Sequence, residues 1–270
     1  MSIDRMLKRA GGGLGQSPGG ERIHGVQIGT VTNNVHPDGE FMVKVNLPYY
    51  FSQDESWWYR ISMPMAGKER GMYILPEVGD EVLVCFLNGS PNDGIIIGSV
   101  YNGKDKFPQK LKVSPDNKEL KIPNSDQGGE NNYRFFHSRS GHTLMFSDEK
   151  GKMHVSLRTQ AGNEFVMDDT DGKEKIQLYD KDNKQWLEID VPKKTITLQT
   201  DTGDICLKAK KKILLECEDF ELKASKSAKM TSGTSTDIKA GSTMKTESGS
   251  TMDIKAGGVM TQKAPTIKLN

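Results

Sequence analysis

The 270-residue sequence has few aromatic side chains and few apolar side chains of any kind. Aromatic residues make up 7% and hydrophobic residues 34% of the chain, whereas glycine alone occupies 28 positions. A single chain with so little apolar material can build only a limited core of its own. Either part of the chain is disordered, or other chains complete its core.

The chain also lacks a strong net charge, a long apolar run and paired cysteines. Its 37 basic residues nearly balance 36 acidic ones, which argues against electrostatic capture of nucleic acid or anionic membrane. No segment approaches the ~18 apolar residues of a membrane span. Cys85, Cys206 and Cys217 lie in apolar strand-like segments without a CxxC pair, which predicts reduced, buried thiols. The charged first ten residues contain no signal-peptide pattern, so we expect synthesis in the bacterial cytoplasm without one.

The motifs of catalysis and metal binding are missing as well. The five histidines form no HxH or HExxH motif and no Cys/His cluster, and no GxSxG segment occurs. The glycines of residues 11–20 are not followed by the Lys-Ser/Thr pair of a P-loop, so they indicate a flexible linker. The acidic segment 168–171 is typical of a turn. We predict no enzyme activity, no cofactor and no metal.

Residues 24–103 predict a small β domain. Five strand-like segments are separated by turn signals rich in Pro, Asp, Asn and Gly. They cover residues 26–31, 41–47, 58–63, 81–86 and 94–100. Five short strands in about 80 residues suit a closed barrel, and the OB-type barrel is a common solution of that size.

The rest of the chain predicts strands of changing period. A polar connection, residues 104–136, is followed by alternating segments of about ten residues over 137–195. From Ile196 to the end, 196–270, the period is eight. The near-identity of TDIKAGST (236–243) with MDIKAGGV (252–259) sets the register of these octads. The fold class expected is all-β: an OB-fold barrel followed by a C-terminal β-helix, behind a head and linker of residues 1–23.

The octads predict a homotrimer. Eight residues are about five residues of strand and a bend, so positions one, three and five share a face that one chain cannot cover. Three intertwined chains forming a triple-stranded β-prism would bury that face on a common axis. The predicted axis residues are Ile196, Leu198, Phe220, Leu222, Met230, Ile238, Met244, Met252, Ile254 and Met260. A disordered tail, the alternative, gives no reason for the regular spacing.

A series of short motifs in the barrel region resembles a known family. The segments SWWYRI (56–61), LPEVGDEV (75–82), GSPND (89–93) and IIGSVYN (96–102) resemble the OB domain of VgrG-like type VI secretion spikes, phage baseplate spikes and extracellular contractile injection systems. The motif residues are Trp58, Arg60, Gly67, Pro76, Gly79, Phe86, Pro91, Gly98, Tyr101 and Asn102. Only about 23 residues precede the barrel, which resembles most a spike of extracellular injection systems whose hub is a separate protein.

The resemblance implies a structural role and a set of partners. It implies a rigid trimeric spike that joins the baseplate hub to a tip protein and pierces an envelope, touching the target membrane only transiently. The implied partners are other copies of the chain, a trimeric hub at the N-terminal end, baseplate and inner-tube components, and a tip protein of the proline-alanine-alanine-arginine (PAAR) class. The tip protein is expected to dock on Met260, Ile267, Leu269 and Asn270.

Two other functions remain open from the residues alone. OB barrels also bind oligonucleotides, and Trp57, Trp58 and Tyr59 offer aromatic stacking. Three consecutive aromatic residues on a strand point to alternate faces, however, so at least one belongs to the core. The octads alone would also suit the shaft of a trimeric tail fibre or adhesin. We expect no nucleic acid as a partner.

Overall fold

Extended backbone dominates the chain, because its sequence alternates with a period of two and offers no helical pattern. The computed structural model describes residues 22–50, 55–113, 118–122 and 131–268. The only helical element among them is a single 3-10 turn, Leu87–Gly89. No helix in these ranges is long and apolar enough to cross a membrane. The all-β fold class is thereby confirmed.

The N-terminal part is a closed five-stranded barrel. Its strands are β1 (Val26–Asn33), β2 (Met42–Asn46), β3 (Tyr59–Ile61), β6 (Glu81–Phe86) and β7 (Gly94–Ser99), and they close in the order β1-β2-β3-β7-β6. All neighbours are antiparallel except β3 and β7, which are parallel. Two short strands, β4 (Ala66–Gly67) and β5 (Arg70–Gly71), form a separate hairpin between β3 and β6.

The barrel core follows from alternation along its strands. In β6, every second residue points inward and is buried, whereas the residues between are half-exposed. The buried cluster consists of Ile23, Val31, Val43, Val45, Leu47, Tyr59, Val82, Val84, Phe86 and Ile96. This is a complete small core, so the barrel has its own source of stability within one chain.

A seven-stranded antiparallel sheet follows the barrel. It is a meander in which every strand pairs with the next along the chain. The strands are β10 (Tyr133–His137), β11 (Thr143–Ser147), β12 (His154–Arg158), β13 (Glu164–Asp168), β14 (Lys175–Tyr179), β15 (Gln185–Asp190) and β16 (Thr195–Thr200). Such a sheet is compatible with one wall of the predicted β-prism.

The segment between barrel and sheet is more regular than its polar sequence suggests. Residues 104–136 contain a hairpin of β8 (Lys110–Val113) and β9 (Lys118–Lys121), as well as most of β10. Leu111 of β8 is buried. The sheet therefore begins at Tyr133, nine residues before the first alternating segment recognised from the sequence, because YRFFH carries its apolar residues consecutively.

The chain divides into two units between Cys206 and Leu207. The described part of the second unit contains no helix or strand, and its backbone bends at regular intervals, at residues 210–211, 218, 225–226, 233–234, 241–242, 249–250 and 257–258. These bends recur about every eight residues, the period of the octads. Among the described residues from Leu207 to Lys268, no backbone amide donates to a backbone carbonyl.

Candidate assembly surfaces

Tyr59 joins two of the barrel motifs inside the core. Its ring is fully buried and lies edge-on to Phe86, with 5.8 Å between ring centroids. Its hydroxyl donates to the carbonyl oxygen of Pro91 at 2.5 Å, and burial raises the pKa of Tyr59 to about 12. A Cβ on Gly94 would lie 2.7 Å from the same ring. The Pro91–Gly94 turn is therefore shaped around this tyrosine.

Two further motif turns are held by local hydrogen bonds. Gly79 adopts a left-handed φ of 101°, and its amide donates to the carbonyl of Val31 at 2.9 Å. The carbonyl of the buried Pro76 accepts from the side chain of Asn34 at 3.1 Å. Beyond β7, the side chain of Asn102 donates to Glu81 at 2.8 Å and accepts the amide of Asp105 at 2.6 Å. These motif residues shape the barrel and its exit.

The remaining motif residues lie on the barrel surface. Trp58 is half-buried, with its ring centroid 4.8 Å from that of His36 and 5.3 Å from the Lys44 ammonium. Arg60 is half-buried in β3, and Gly67, Gly98 and Tyr101 are exposed. Trp57 is exposed and Tyr59 is buried, so the prediction that at least one of the three aromatic residues is core is confirmed.

A salt bridge connects the barrel with the first turn of the sheet. Arg139, between β10 and β11, donates to the carboxylate of Glu77 at 2.6 Å. Glu77 belongs to the LPEVGDEV motif, and its own amide is held by Asp80 at 2.8 Å. The side chains remain largely exposed, so the bridge adds little stability and mainly orients the turn.

One face of the seven-stranded sheet is apolar, and the described residues leave it uncovered. The strand register places its members in two continuous rows that cross the sheet. One row is Phe136, Leu144, Leu157, Phe165, Leu178, Leu187 and Leu198; the other is Phe146, Val155, Met167, Ile176, Ile189 and Ile196. Most are exposed, from 37% for Phe165 to 75% for Ile196. An apolar surface of this extent marks an interaction site.

The opposite face of the sheet is mixed: it buries apolar residues such as Met145 and Val166 and also contains buried ion pairs. Arg158 and Glu164 face each other across β12 and β13 at 2.5 Å, and both side chains are buried. Further along, Lys175 contacts Glu188 at 3.0 Å and Asp190 at 3.4 Å. The sheet thus buries its charges in pairs while its apolar rows stay open, the reverse of the usual arrangement in a monomer.

Asp190 is the most strongly perturbed carboxylate in this group. Lys193 donates to it from the side chain at 2.9 Å and from the backbone at 3.0 Å. These hydrogen bonds, together with that from Lys175, lower the pKa of Asp190 to about 2. The hydrogen bond to Glu188 raises the pKa of Lys175 correspondingly. The network holds β14, β15 and the turn before β16 together.

The predicted axis residues are all uncovered in the single chain. Ile196 and Leu198 lie in β16 on the apolar face, and the others lie in the octads, with exposures from 45% for Met252 to 75% for Ile196. Met260 and Ile267, predicted to dock a tip protein, are also exposed. Leu269 and Asn270 lie outside the described residues, as does the head, residues 1–20.

Several residues of the apolar surface were missed by the sequence prediction. In the octads that begin at Asp204 and Lys212, position one is charged, and apolar residues occupy positions two and four, with Leu214 also at position three of the second. The residues at positions two and four are Ile205, Leu207, Ile213 and Leu215, all exposed. The spacing of two residues between Ile205 and Leu207, and between Ile213 and Leu215, would have identified them without the register of residues 236–259. Tyr59 was named only for its aromatic ring, and Gly94 was not singled out for its contact with that ring.

The thiols and histidines show no clustered chemistry in the described parts of the chain. No group of three metal-ligating side chains occurs there. His154 is half-buried, with its Nδ1 2.9 Å from the carbonyl oxygen of Lys152. The prediction of three buried cysteines is wrong for the single chain: Cys85 is half-buried, but Cys206 and Cys217 are exposed. Cys217 lies in the stretch whose described residues form no backbone–backbone hydrogen bond, and Cys206 directly precedes that stretch.

Comparison with known proteins supports the barrel assignment directly. Residues 27–101 match the family model described as the type VI secretion system/phage-baseplate injector OB domain. The chain is 32% identical over 151 residues to the type VI secretion system spike protein VgrG3 of Vibrio cholerae, and 28% identical over 151 residues to spike protein VgrG1a of Pseudomonas aeruginosa. It is also 31% identical over 151 residues to a Vibrio cholerae protein named actin cross-linking toxin VgrG1.

These alignments cover about half of this chain and a minor part of each relative. They span 52%, 56% and 52% of this chain, but 13%, 21% and 12% of the respective relatives. The OB-fold prediction and the resemblance stated from the motifs are confirmed at this level. The chain is similar to VgrG spike proteins over about half of its length, and its barrel matches the injector OB domain of type VI secretion systems and phage baseplates.

Proposed function

We propose that this chain is the central spike of a contractile injection machine, a rigid homotrimeric needle of an extracellular injection system or phage-tail-like particle. In this role it connects the baseplate to a tip protein and is driven through an envelope when a sheath contracts. The residues described here supply stiffness and docking surfaces, and we assign no catalysis to them.

The observation that carries the proposal is the unpaired backbone of the octads. From Leu207 to Lys268 the chain bends about every eight residues, yet its described residues form no backbone–backbone hydrogen bond. Backbone amides and carbonyls do not stay unpaired when partners are within reach. Because the described residues supply no partner for them, this observation supports pairing with strands of other copies.

The apolar rows of the sheet support the same arrangement. Three sheets related by a threefold axis would turn Phe165, Leu178 and Leu187 toward each other. Each large apolar side chain that is fully buried contributes about 1.5–3 kcal/mol, and three copies multiply the gain. Nine octads stacked at the ~4.8 Å spacing of strands would give a needle of roughly 40 Å. A dry, fully paired prism of this kind resists bending.

The ends of the needle are the proposed docking sites. A trimeric hub and the inner tube would bind at the barrel end, with the head and linker of residues 1–20 reaching into them. A PAAR-type tip protein would seat on residues 260–270, where Met260 and Ile267 expose apolar surface. The tip protein would continue the strand pairing and cover the axis.

The decisive test is the mass of the native protein. The trimer predicts three times the 30.0 kDa chain mass by native mass spectrometry; a monomer in dilute neutral buffer would contradict the proposal. Ile254→Asp places three carboxylates on a dry axis and is expected to break the trimer or lower its melting temperature strongly. Ile254→Met, which conserves volume and polarity, is the matched control and should melt like the parent.

The tip site is tested by co-purification with a PAAR-type protein encoded beside this chain. One tip protein per three chains is expected, and the complex should be lost when residues 260–270 are removed while the trimer remains. Undiminished binding by the shortened trimer would place the tip protein elsewhere.

A further inference from the structure

The outward side chains of the octads carry a regular charge pattern that the axis residues do not explain. Five consecutive octads begin at Phe220, and we consider their second and fourth positions. The second positions are Glu221, Lys229, Asp237, Lys245 and Asp253, which alternate strictly in sign. The fourth positions are Lys223, Thr231, Lys239, Glu247 and Lys255. In each octad with two charges, the two have opposite signs.

The structure places these two columns on one face. Residues two apart on an extended strand project to the same side, and three such pairs are in contact within the chain. The distances are 2.9 Å for Glu221–Lys223, 2.7 Å for Lys245–Glu247 and 3.6 Å for Asp253–Lys255. All six side chains are at least 71% exposed. Odd-numbered positions of the same octads, such as Phe220 and Leu222, project to the other side.

Stacking three copies brings the columns together between chains. This step rests on the trimeric prism proposed above. Each octad of one chain occupies one side of the prism, and the strand beside it is the next octad of a neighbouring chain. In an in-register parallel pair, second positions lie beside second positions and fourth beside fourth. Lys229 of one chain is then adjacent to the Asp237 of another.

We propose that the outer surface of residues 220–255 is a checkerboard of ion pairs between protomers, and that it fixes the register in which the three copies wind together. Every charge at the second and fourth positions has an opposite charge beside it on its own strand, on the neighbouring chain, or on both. Among these positions only Thr231 is uncharged, and its neighbours would be Lys223, Lys229 and Lys239.

The axis residues alone do not fix this register. Apolar residues recur in every octad, so a slip of one octad between chains leaves the axis filled. The second-position charges recur with a period of sixteen, so the same slip places Glu221 beside Asp237 and Lys229 beside Lys245. Each exposed pair is weak, but a slip places like charges side by side at every second-position contact between chains, in three copies at once. Polar pairs that select a register at little cost in stability are known from coiled coils.

Disulfide trapping tests the register. Lys229→Cys with Asp237→Cys, in a chain whose native cysteines are serine, should give a covalent trimer on a non-reducing gel after diamide oxidation, because adjacent strands lie within disulfide range. Lys229→Cys with Lys239→Cys, displaced by two residues along the strand, is the control and should not cross-link. Lys229→Cys with Asp253→Cys would instead form a bond within one chain if a single chain coiled on itself.

The outcomes separate this inference from the proposed function. A native trimer without the 229–237 cross-link overturns the register while the trimer stands. A native monomer contradicts the trimer itself. A cross-link that forms for 229–237 and not for the displaced control supports both.

Thr231 provides a test of the charges themselves. Thr231→Glu places a negative charge among three lysines, as the pattern requires. The Thr231→Glu trimer should therefore melt several degrees higher than the Thr231→Lys trimer. Because the pairs are exposed, 1 M NaCl should remove most of that difference. Equal melting temperatures of the two variants at low salt would overturn the checkerboard.

Discussion

Arg158 and Glu164 lie opposite each other on β12 and β13, with Nη1 2.5 Å from Oε2 and both side chains buried. A buried pair of this kind is costly to break, because the remaining charge has no solvent to replace its partner. Glu164→Ala is expected to lower the free energy of unfolding by about 3–5 kcal/mol, measured by chemical denaturation. Arg158→Met with Glu164→Leu removes both charges and should recover most of the loss.

The control for that prediction is an exposed pair in the same sheet. Arg134 and Asp148 form a salt bridge in which both side chains are more than half exposed. Asp148→Ala should cost less than about 1 kcal/mol. A loss from Glu164→Ala no larger than this would show that Arg158 reaches water, contrary to the burial seen here.

The barrel offers a test of the packing around Tyr59. Gly94→Ala would place a methyl group 2.7 Å from the ring, among residues of a tight core. We expect a loss of about 1–3 kcal/mol, seen as a lower melting temperature. Gly98→Ala, on the same strand, meets nothing within 4 Å and is the matched control. If the two variants melt alike, Tyr59 does not shape the Pro91–Gly94 turn.

The sequence predicted the barrel and the octads well, because both depend on local alternation and turn residues. Val82, Val84 and Phe86 alternate with polar or half-exposed neighbours, so their strand and its inward face could be read directly. From residue 225 onward the bends match the repeat because Gly or Ser occurs in each of them, whereas the two earlier bends contain Lys210, Lys211 and Glu218.

Other features depended on information that no local pattern carries. The partner of Tyr59 is the carbonyl of Pro91, 32 positions away, and only the closed barrel brings them together. The pairing of Arg158 with Glu164 follows from the register of the hairpin of β12 and β13. Strands β8 and β9 were not predicted, because they are short and rich in lysine. Ile205 and Ile213 were missed since the register of residues 236–259 was extended across a region that is out of phase with it.

Acid pH should act on the sheet through Asp190. Its pKa is lowered from 3.8 to about 2 in the folded chain, so the unfolded chain binds the proton more readily. The stabilisation is therefore complete above about pH 4 and is lost as the pH falls toward 2. Lys193→Met removes the hydrogen bond that lowers this pKa most, so the variant should lose less stability than the parent between pH 4 and 2. Lys194→Met, at the next position, is the control and should follow the parent.

Leu178 distinguishes an open sheet from an assembled one. It lies in the middle of an apolar row, between Phe165 and Leu187, and is 52% exposed in the single chain. At a solvent-facing position, Leu178→Asp would change the free energy of unfolding by no more than about 0.5 kcal/mol. On a threefold axis, the same change buries three carboxylates together and should prevent assembly at neutral pH. Leu178→Met changes the shape of the side chain without adding a charge. Lys181→Asp, in the exposed turn after β14, adds a negative charge at a position that is not buried. Both variants should assemble normally. Size-exclusion chromatography with light scattering measures the result, and a Leu178→Asp protein that elutes as a stable trimer would place this face of the sheet in solvent.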